Sequence, residues 1–301
     1  MKNILVTGST GFLGGHVVNA LKDKKDIKVF TTSKRWNTEA QFPLELADEN
    51  GGHRLCDLSK PFTVHTLIQK SKPDIIVHLA GCANPKESHK MVENNIVSTA
   101  NLLKIAPDGC KIIFSSSLTA HGECTTPNSE PVPTNLYGVS KLCCEDLIKT
   151  YKNISDISHC ILRFCTIVGK GVTHGVVRDL YEKIKLSGPL EILGASPGSN
   201  KSFIYVYDAV KAVILAIDDN IEGTFNICSA DTVSVDTIAN TLIEHTGIPK
   251  DKKWLGEETV WPGDNRFLWA DNSRFKKFGF EYDYESSIDA VRKAIKDILD
   301  K

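Results

Sequence analysis

The chain opens with a short apolar run, Lys2 to Thr7, that passes straight into Gly8-Ser9-Thr10-Gly11-Phe12-Leu13-Gly14. Beyond the first glycines, Phe12, Leu13, His16, Val17, Ala20 and Leu21 recur at helical spacing. A buried strand, a glycine turn and an amphipathic helix in that order leave few folds open. Glycines at such a junction permit a tight turn and let a pyrophosphate come close to the helix N-terminus. Gly8, Thr10, Gly11, Phe12, Leu13 and Gly14 are therefore expected to cradle a dinucleotide.

The alternation continues. Residues 26–32, 53–58, 73–79, 111–114 and 159–168 read as strands, and 64–70, 91–103 and 137–148 as helices. This implies an α/β fold with a doubly wound parallel sheet, whose ligands bind beyond the carboxyl ends of its strands. Gly8, Asp57, Ala80 and Ser117 all fall there, with Leu58, Leu79 and Gly81 as neighbours. An acidic residue at the end of the second strand would hold the adenosine ribose of NAD. Here stand Thr31 and Thr32, then Ser33-Lys34-Arg35. No carboxylate would repel a 2′-phosphate and two cations are at hand to bind one, which favours NADP over NAD.

Tyr137 and Lys141 are four residues apart, on one face of a helix. A lysine cation ~4 Å from a phenol, at an effective dielectric of ~20, favours phenolate by roughly 4 kcal/mol, or about 3 pKa units. Such a phenol is a usable general acid/base for interconverting a hydroxyl and a carbonyl. The same spacing occurs at Tyr181/Lys185 and Tyr207/Lys211, but only Tyr137 follows a strand ending in Ser115-Ser116-Ser117.

From about residue 170 the character changes. Short strands at 190–193, 203–206 and 223–227 mix with helices at 176–186, 208–217, 234–246 and 285–300 and with Gly/Pro loops. This C-terminal part is expected to close over a substrate. The net charge of -1 and the lack of a basic run speak against nucleic acid or an anionic membrane as partners. The N-terminus, going directly into a strand-like run, is expected to be neither a signal peptide nor a spanning segment. Nine cysteines without a C-x-x-C pair suggest reduced thiols in a cytoplasmic enzyme. His53 and Cys56 form an isolated pair, so no metal is expected.

Taken together, the chain resembles an extended short-chain dehydrogenase/reductase of the NAD-dependent epimerase/dehydratase type over nearly its whole length. The carriers are Thr7-Gly8-x-x-Gly11-x-x-Gly14, Asp57-Leu58, His78-Leu79-Ala80, Ser115-Ser116-Ser117, Tyr137-x-x-x-Lys141, Leu162-Arg163-Phe164 with Gly169, Phe203 to Asp208, and Pro262-Gly263-Asp264 with Ala270-Asp271. The resemblance implies a Rossmann-type domain over 1–168, completed by about 204–228, and a smaller α/β substrate domain from 169–203 and 229–301. It implies Tyr137 as the acid/base, Lys141 lowering its pKa and holding the nicotinamide ribose, and Ser117 bonding the reacting oxygen. It further implies a nucleotide-diphosphate sugar as substrate, chemistry at the sugar C4, and a homodimer through helices 91–104 and 137–150.

Several positions depart from the family pattern. Leu118 and Thr119 follow Ser117 where members that eliminate water carry an acid, which argues against a dehydratase. His121 stands where many members have Tyr and is expected to be a stacking or structural residue, with a catalytic histidine as the alternative. At the expected substrate diphosphate, Thr166 replaces a usual Asn and Lys201 a usual Arg, while Arg266 is the candidate for an arginine missing at Val260-Trp261. The leading expectation is NADP-dependent reduction of a 4-keto nucleotide sugar. An NAD-dependent 4-epimerase uses the same residues, and a non-catalytic cofactor-binding regulator is the alternative from another class.

Overall fold

The computed structural model describes residues 1–35, 51–123, 130–218, 221–260 and 263–300; the stretch 36–50 and Trp261 and Pro262, the last of these part of the Pro-Gly-Asp motif, lie outside them. In chain order come β1 (Lys2–Thr7), α1 (Phe12–Leu21), β2 (Ile27–Ser33), β3 (Gly52–Leu55), α2 (Pro61–Ser71), β4 (Ile75–His78), α3 (Ser98–Ile105), β5 (Lys111–Ser117), α4 (Leu136–Ile154) and β6 (Ser158–Phe164). There follow β7 (Thr166–Val168), α5 (Val176–Ile184), β8 (Leu190–Ile192), β9 (Asn200–Lys201), β10 (Phe203–Tyr205), α6 (Val206–Asp218) and β11 (Gly223–Ile227). The chain ends with β12 (Val233–Ser234), α7 (Val235–Thr246), β13 (Lys252–Trp254), β14 (Phe267–Leu268), α8 (Ser273–Lys276) and α9 (Ser287–Leu299).

Seven strands form one parallel sheet in the order β11-β6-β5-β4-β1-β2-β3. Their apolar residues alternate between two cores, as a period of two demands of a sheet covered on both faces. Ile4, Val6, Ile75, Val77 and Ile113 enter one core with α1 and α6. Leu5, Ile76, Ile112 and Phe114 enter the other with α2, α3 and α4. From β1 the chain winds outward to β2 and β3, then returns to β4 on β1's other side. That reversal opens a crevice at the carboxyl ends of β1 and β4.

The later residues build a smaller layer around a third core that includes Leu180, Ile184, Leu190, Phe203, Leu242 and Val291. Its sheets are short: β10 with β7, β12-β9-β14, and β13 with β8. The strands β9, β12, β13 and β14, two or three residues long and without a distinct apolar run, were not foreseen, whereas the equally short but apolar β8 and β10 were. The expected single strand 159–168 breaks at Cys165. Its N–H still reaches Ile227 in the main sheet (3.1 Å), but Thr166 N–H turns to Ser202 O (3.3 Å). The expected helix at 91–104 begins as a π-helix over Val92–Val97. Among the described residues no helix is long and apolar enough to cross a membrane.

One buried ion pair fastens α4 to the sheet. The Glu145 carboxylate is fully buried and accepts two bonds from Arg163 of β6, at 2.8 and 2.6 Å, and one from the Ser116 hydroxyl of β5 at 2.5 Å. Burial alone would raise the Glu145 pKa, but the bonds from Arg163 and Ser116 hold it below the usual carboxylate range. Glu145→Ala leaves a buried guanidinium unpaired and should cost about 3–5 kcal/mol, read by urea unfolding at pH 7. Because the folded pKa is depressed, Glu145's contribution is full above ~4.3 and is lost as pH falls through the folded value. The variant's stability should therefore fall less steeply on acidification than the parent's.

Candidate active site

The glycine turn is built by close backbone approach. A Cβ on Gly8, whose φ is +66°, would lie 2.7 Å from Ala80 N, and one on Gly14 would lie 2.1 Å from Gly8 O. Neither position can take a side chain without moving the turn. Gly8, Thr10, Gly11, Ser33, Lys34, Asp57, Leu58, Leu79, Ala80 and Gly81 line one crevice of about 280 Å³, together with Asn94 and Ser98. The crevice suits a dinucleotide: glycines at a helix start, small residues beyond β4, and polar groups at the rim. The side chains of Phe12 and Leu13 instead pack into the cores, so only their backbone can meet a phosphate.

At the end of β2, Lys34 is already engaged. Its ammonium lies 3.1 Å from an Asp57 carboxylate oxygen and 3.1 Å from the Asn94 side-chain oxygen. Burial works to raise the Asp57 pKa, but bonds from Ser59 and Lys34 bring it below the ordinary value. Arg35 is exposed, and its carbonyl accepts the Ser33 hydroxyl at 2.8 Å.

At the end of β5, the structure brings Ser117, Tyr137 and Lys141 together. Asn135 caps α4, its side-chain oxygen accepting Gly138 N–H at 2.9 Å, and so fixes the first turn that carries Tyr137. Lys141 is 4% exposed and donates to Ser115 O at 2.7 Å. Its ammonium sits 4.7 Å from the Phe114 ring centre and 5.8 Å from that of Tyr137. Burial lowers the Lys141 pKa to about 8 and raises the Tyr137 phenol to about 12, with the Ser117 hydroxyl bond pulling the other way. The depressed phenol expected from helical spacing is not found. The cation is anchored on the Ser115 carbonyl, and the apolar surroundings dominate.

Two further groups were not foreseen as site residues. Thr119 donates to the Ser117 oxygen twice, through its hydroxyl at 2.9 Å and its N–H at 3.2 Å. A hydroxyl has two acceptor sites and one proton, so Ser117 is left to act as a donor. Asn95, in the π-helix, accepts Cys82 N–H at 2.7 Å and donates to Cys82 O at 3.0 Å and to the Ser140 hydroxyl at 2.8 Å. It ties the loop after β4 to α4. A buried polar residue on the apolar stripe at 91–103 was the visible signal. His78 at the end of β4 lies between Thr7 (2.8 Å) and Thr99 (3.0 Å). Burial, then the Lys141 charge, lowers its pKa to about 3, so it is a neutral strut.

The other candidates sit apart from this centre. Lys201 is paired with Asp264 at 2.5 Å. Thr166 is paired with Phe203 of β10, with its N–H on Ser202 O. Arg266, 64% exposed, is turned to Glu257. The Tyr181/Lys185 and Tyr207/Lys211 pairs are solvated faces, with Lys185 on Glu182 and Lys211 on Asp283.

The model of the NAD dependent epimerase/dehydratase family matches residues 4–228. GDP-6-deoxy-D-talose 4-dehydrogenase of Aggregatibacter actinomycetemcomitans is 26% identical, over 80% of this chain and 79% of its own. A putative UDP-glucose 4-epimerase of Methanocaldococcus jannaschii is 30% identical, over 80% and 81%. The solved structure of a UDP-glucuronic acid 4-epimerase from Bacillus cereus, in complex with UDP-glucuronic acid and NAD, superposes with a TM-score of 0.86 at 26% identity, covering 99% of each chain. The chain belongs to the NAD dependent epimerase/dehydratase family, and is an enzyme of the extended short-chain dehydrogenase/reductase type.

Proposed function

We propose that this enzyme reduces a 4-keto nucleotide-diphosphate sugar to the hydroxyl, using NADP. The carrying observation is the Ser117, Tyr137 and Lys141 set, with a phenol whose pKa near 12 keeps it protonated at neutral pH. NADP, when bound, supplies the hydride. Ser117, saturated as an acceptor by Thr119, donates to the substrate oxygen, and Tyr137 gives that oxygen its proton. Lys141 holds the nicotinamide ribose. No acid follows Ser117 to drive an elimination. The choice of NADP rests on the missing carboxylate at the end of β2 and on Lys34 and Arg35.

Residues 1–168 with about 204–228 would form the cofactor half, and 169–203 with 229–301 the substrate half. Lys201, Thr166 and Arg266 would face the diphosphate once Asp264 and Glu257 yield their cations. The exposed apolar Val92, Val97, Leu136 and Val139, on the π-helix, its end and α4, support a homodimer through these helices. The cysteine content supports a cytoplasmic enzyme.

A second reading, an NAD-dependent 4-epimerase, has a specific observation in its favour. Lys34 is already matched by Asp57, which leaves Arg35 to hold a 2′-phosphate. Several relatives carry 4-epimerase names, and solved neighbours hold NAD. The non-catalytic reading is set aside, since the relatives are enzymes and Tyr137 and Lys141 are both in place.

Three outcomes are expected. Tyr137→Phe should lower turnover of a 4-keto sugar nucleotide by about 10²-fold or more while leaving cofactor affinity intact; retained turnover contradicts the role. Thr119→Val should lower kcat about tenfold, one misdirected hydrogen bond's worth, with Thr119→Ser restoring most of it. Paired Lys34→Ala and Arg35→Ala changes should weaken NADPH by about tenfold or more and leave NADH nearly unchanged, read by fluorescence titration. Equal weakening, or tighter NADH than NADPH in the parent, favours the epimerase.

A further inference from the structure

The loop at 263–267 belongs to the substrate side, yet it is stitched to the loop that leads into α4. Asn135 donates its side-chain amide N–H to Gly263 O at 2.9 Å, and the Thr134 hydroxyl donates to the same oxygen at 3.0 Å. Asn265, 2% exposed, donates back to the Thr134 oxygen at 3.0 Å. Two residues from Asn265 along this loop, Phe267 N–H reaches the Glu123 carboxylate at 3.3 Å. Between Gly263 and Asn265 stands Asp264, the anion that holds Lys201.

We infer that Asn135 is a positioning residue that couples occupancy of the nucleotide-diphosphate end of the site to the placement of Tyr137. Its amide has two ends with two tasks. The oxygen caps the first turn of α4, two residues before Tyr137, and the nitrogen grips Gly263, one residue before Asp264. A diphosphate that takes Lys201 competes with the Asp264 carboxylate for one ammonium. Asp264 is then released, and its neighbour Gly263 shifts the amide that sets the α4 cap. Nucleotide binding is thereby read at the phenol although Lys201 and Tyr137 lie on different layers. This inference rests on the diphosphate reading above.

The test separates the two tasks. Asn135→Ser keeps a good cap and loses the N–H to Gly263. UDP alone is the probe, and amide hydrogen exchange of the full chain is the readout. In the parent, UDP should slow exchange in both 263–268 and 136–141, by about fivefold or more, one hydrogen bond's worth of opening. In Asn135→Ser, UDP should still protect 263–268, and its effect at 136–141 should disappear at unchanged melting temperature. Thr134→Val, which removes the second bond to Gly263 and leaves the cap alone, should weaken the effect at 136–141 in the same direction. Parent protection confined to 263–268, or full protection at 136–141 in Asn135→Ser, overturns the coupling. Protection at neither segment in the parent overturns the diphosphate reading itself, and the coupling with it.

Discussion

The geometry of the site depends on how α4 is held against the sheet, and the Glu145–Arg163 pair supplies that hold. Glu145 lies four residues beyond Lys141 and eight beyond Tyr137, so all three share one helical face. A buried carboxylate with three bonds to β5 and β6 tolerates little sliding, because any shift strands a charge in an apolar interior. Tyr137 and Lys141 are placed by this anchor at one end and by the Asn135 cap at the other. The Ser116 hydroxyl that bonds Glu145 is next in the chain to Ser117. One network thus sets the serine and the tyrosine relative to each other.

The same dry surroundings set the chemistry. Burial pushes the phenol up and the lysine down, so at neutral pH Tyr137 carries a proton and Lys141 has a pKa near 8. The hydroxyl network has a direction. Thr119 donates to Ser117 through both its N–H and its hydroxyl, which leaves the one serine proton for an oxygen held in front of it. A donor-poised array suits protonation of an oxygen formed from a ketone. The nearby charges that could disturb it are absorbed elsewhere: His78 is neutral, and Glu145 is matched by Arg163.

Much of this was legible in the sequence because the strongest constraints are local. The strand, glycine turn and helix at 2–21 leave a periodic trace, as do the other strands of the parallel sheet. Ser117, Tyr137 and Lys141 stand out because a serine-ended strand and a Tyr-x-x-x-Lys helix occur in order. The phenol's pKa was misjudged because helical spacing gives a distance but not a dielectric, nor the carbonyl that claims the cation. Thr119, Asn95 and Asn135 escaped notice as site residues for a related reason. Each acts through a hydrogen bond whose partner is set by tertiary placement, and a Thr or Asn in a loop or stripe carries no pattern of its own. Lys34 was readable as a cation but not as one held by Asp57, since the two meet only when the ends of β2 and β3 come side by side.

The central claim is that hydride is delivered to a sugar C4 ketone while Tyr137 supplies the proton. The most direct test incubates the purified enzyme with a 4-keto nucleotide sugar and NADPH deuterated at the transferring position, and follows the sugar by NMR. The account predicts one deuterium at C4 per cofactor oxidised, in a product with a C4 hydroxyl. A sugar that returns without deuterium while NADPH stays unspent, together with inversion of a 4-hydroxy sugar nucleotide by cofactor that is not consumed, would contradict it.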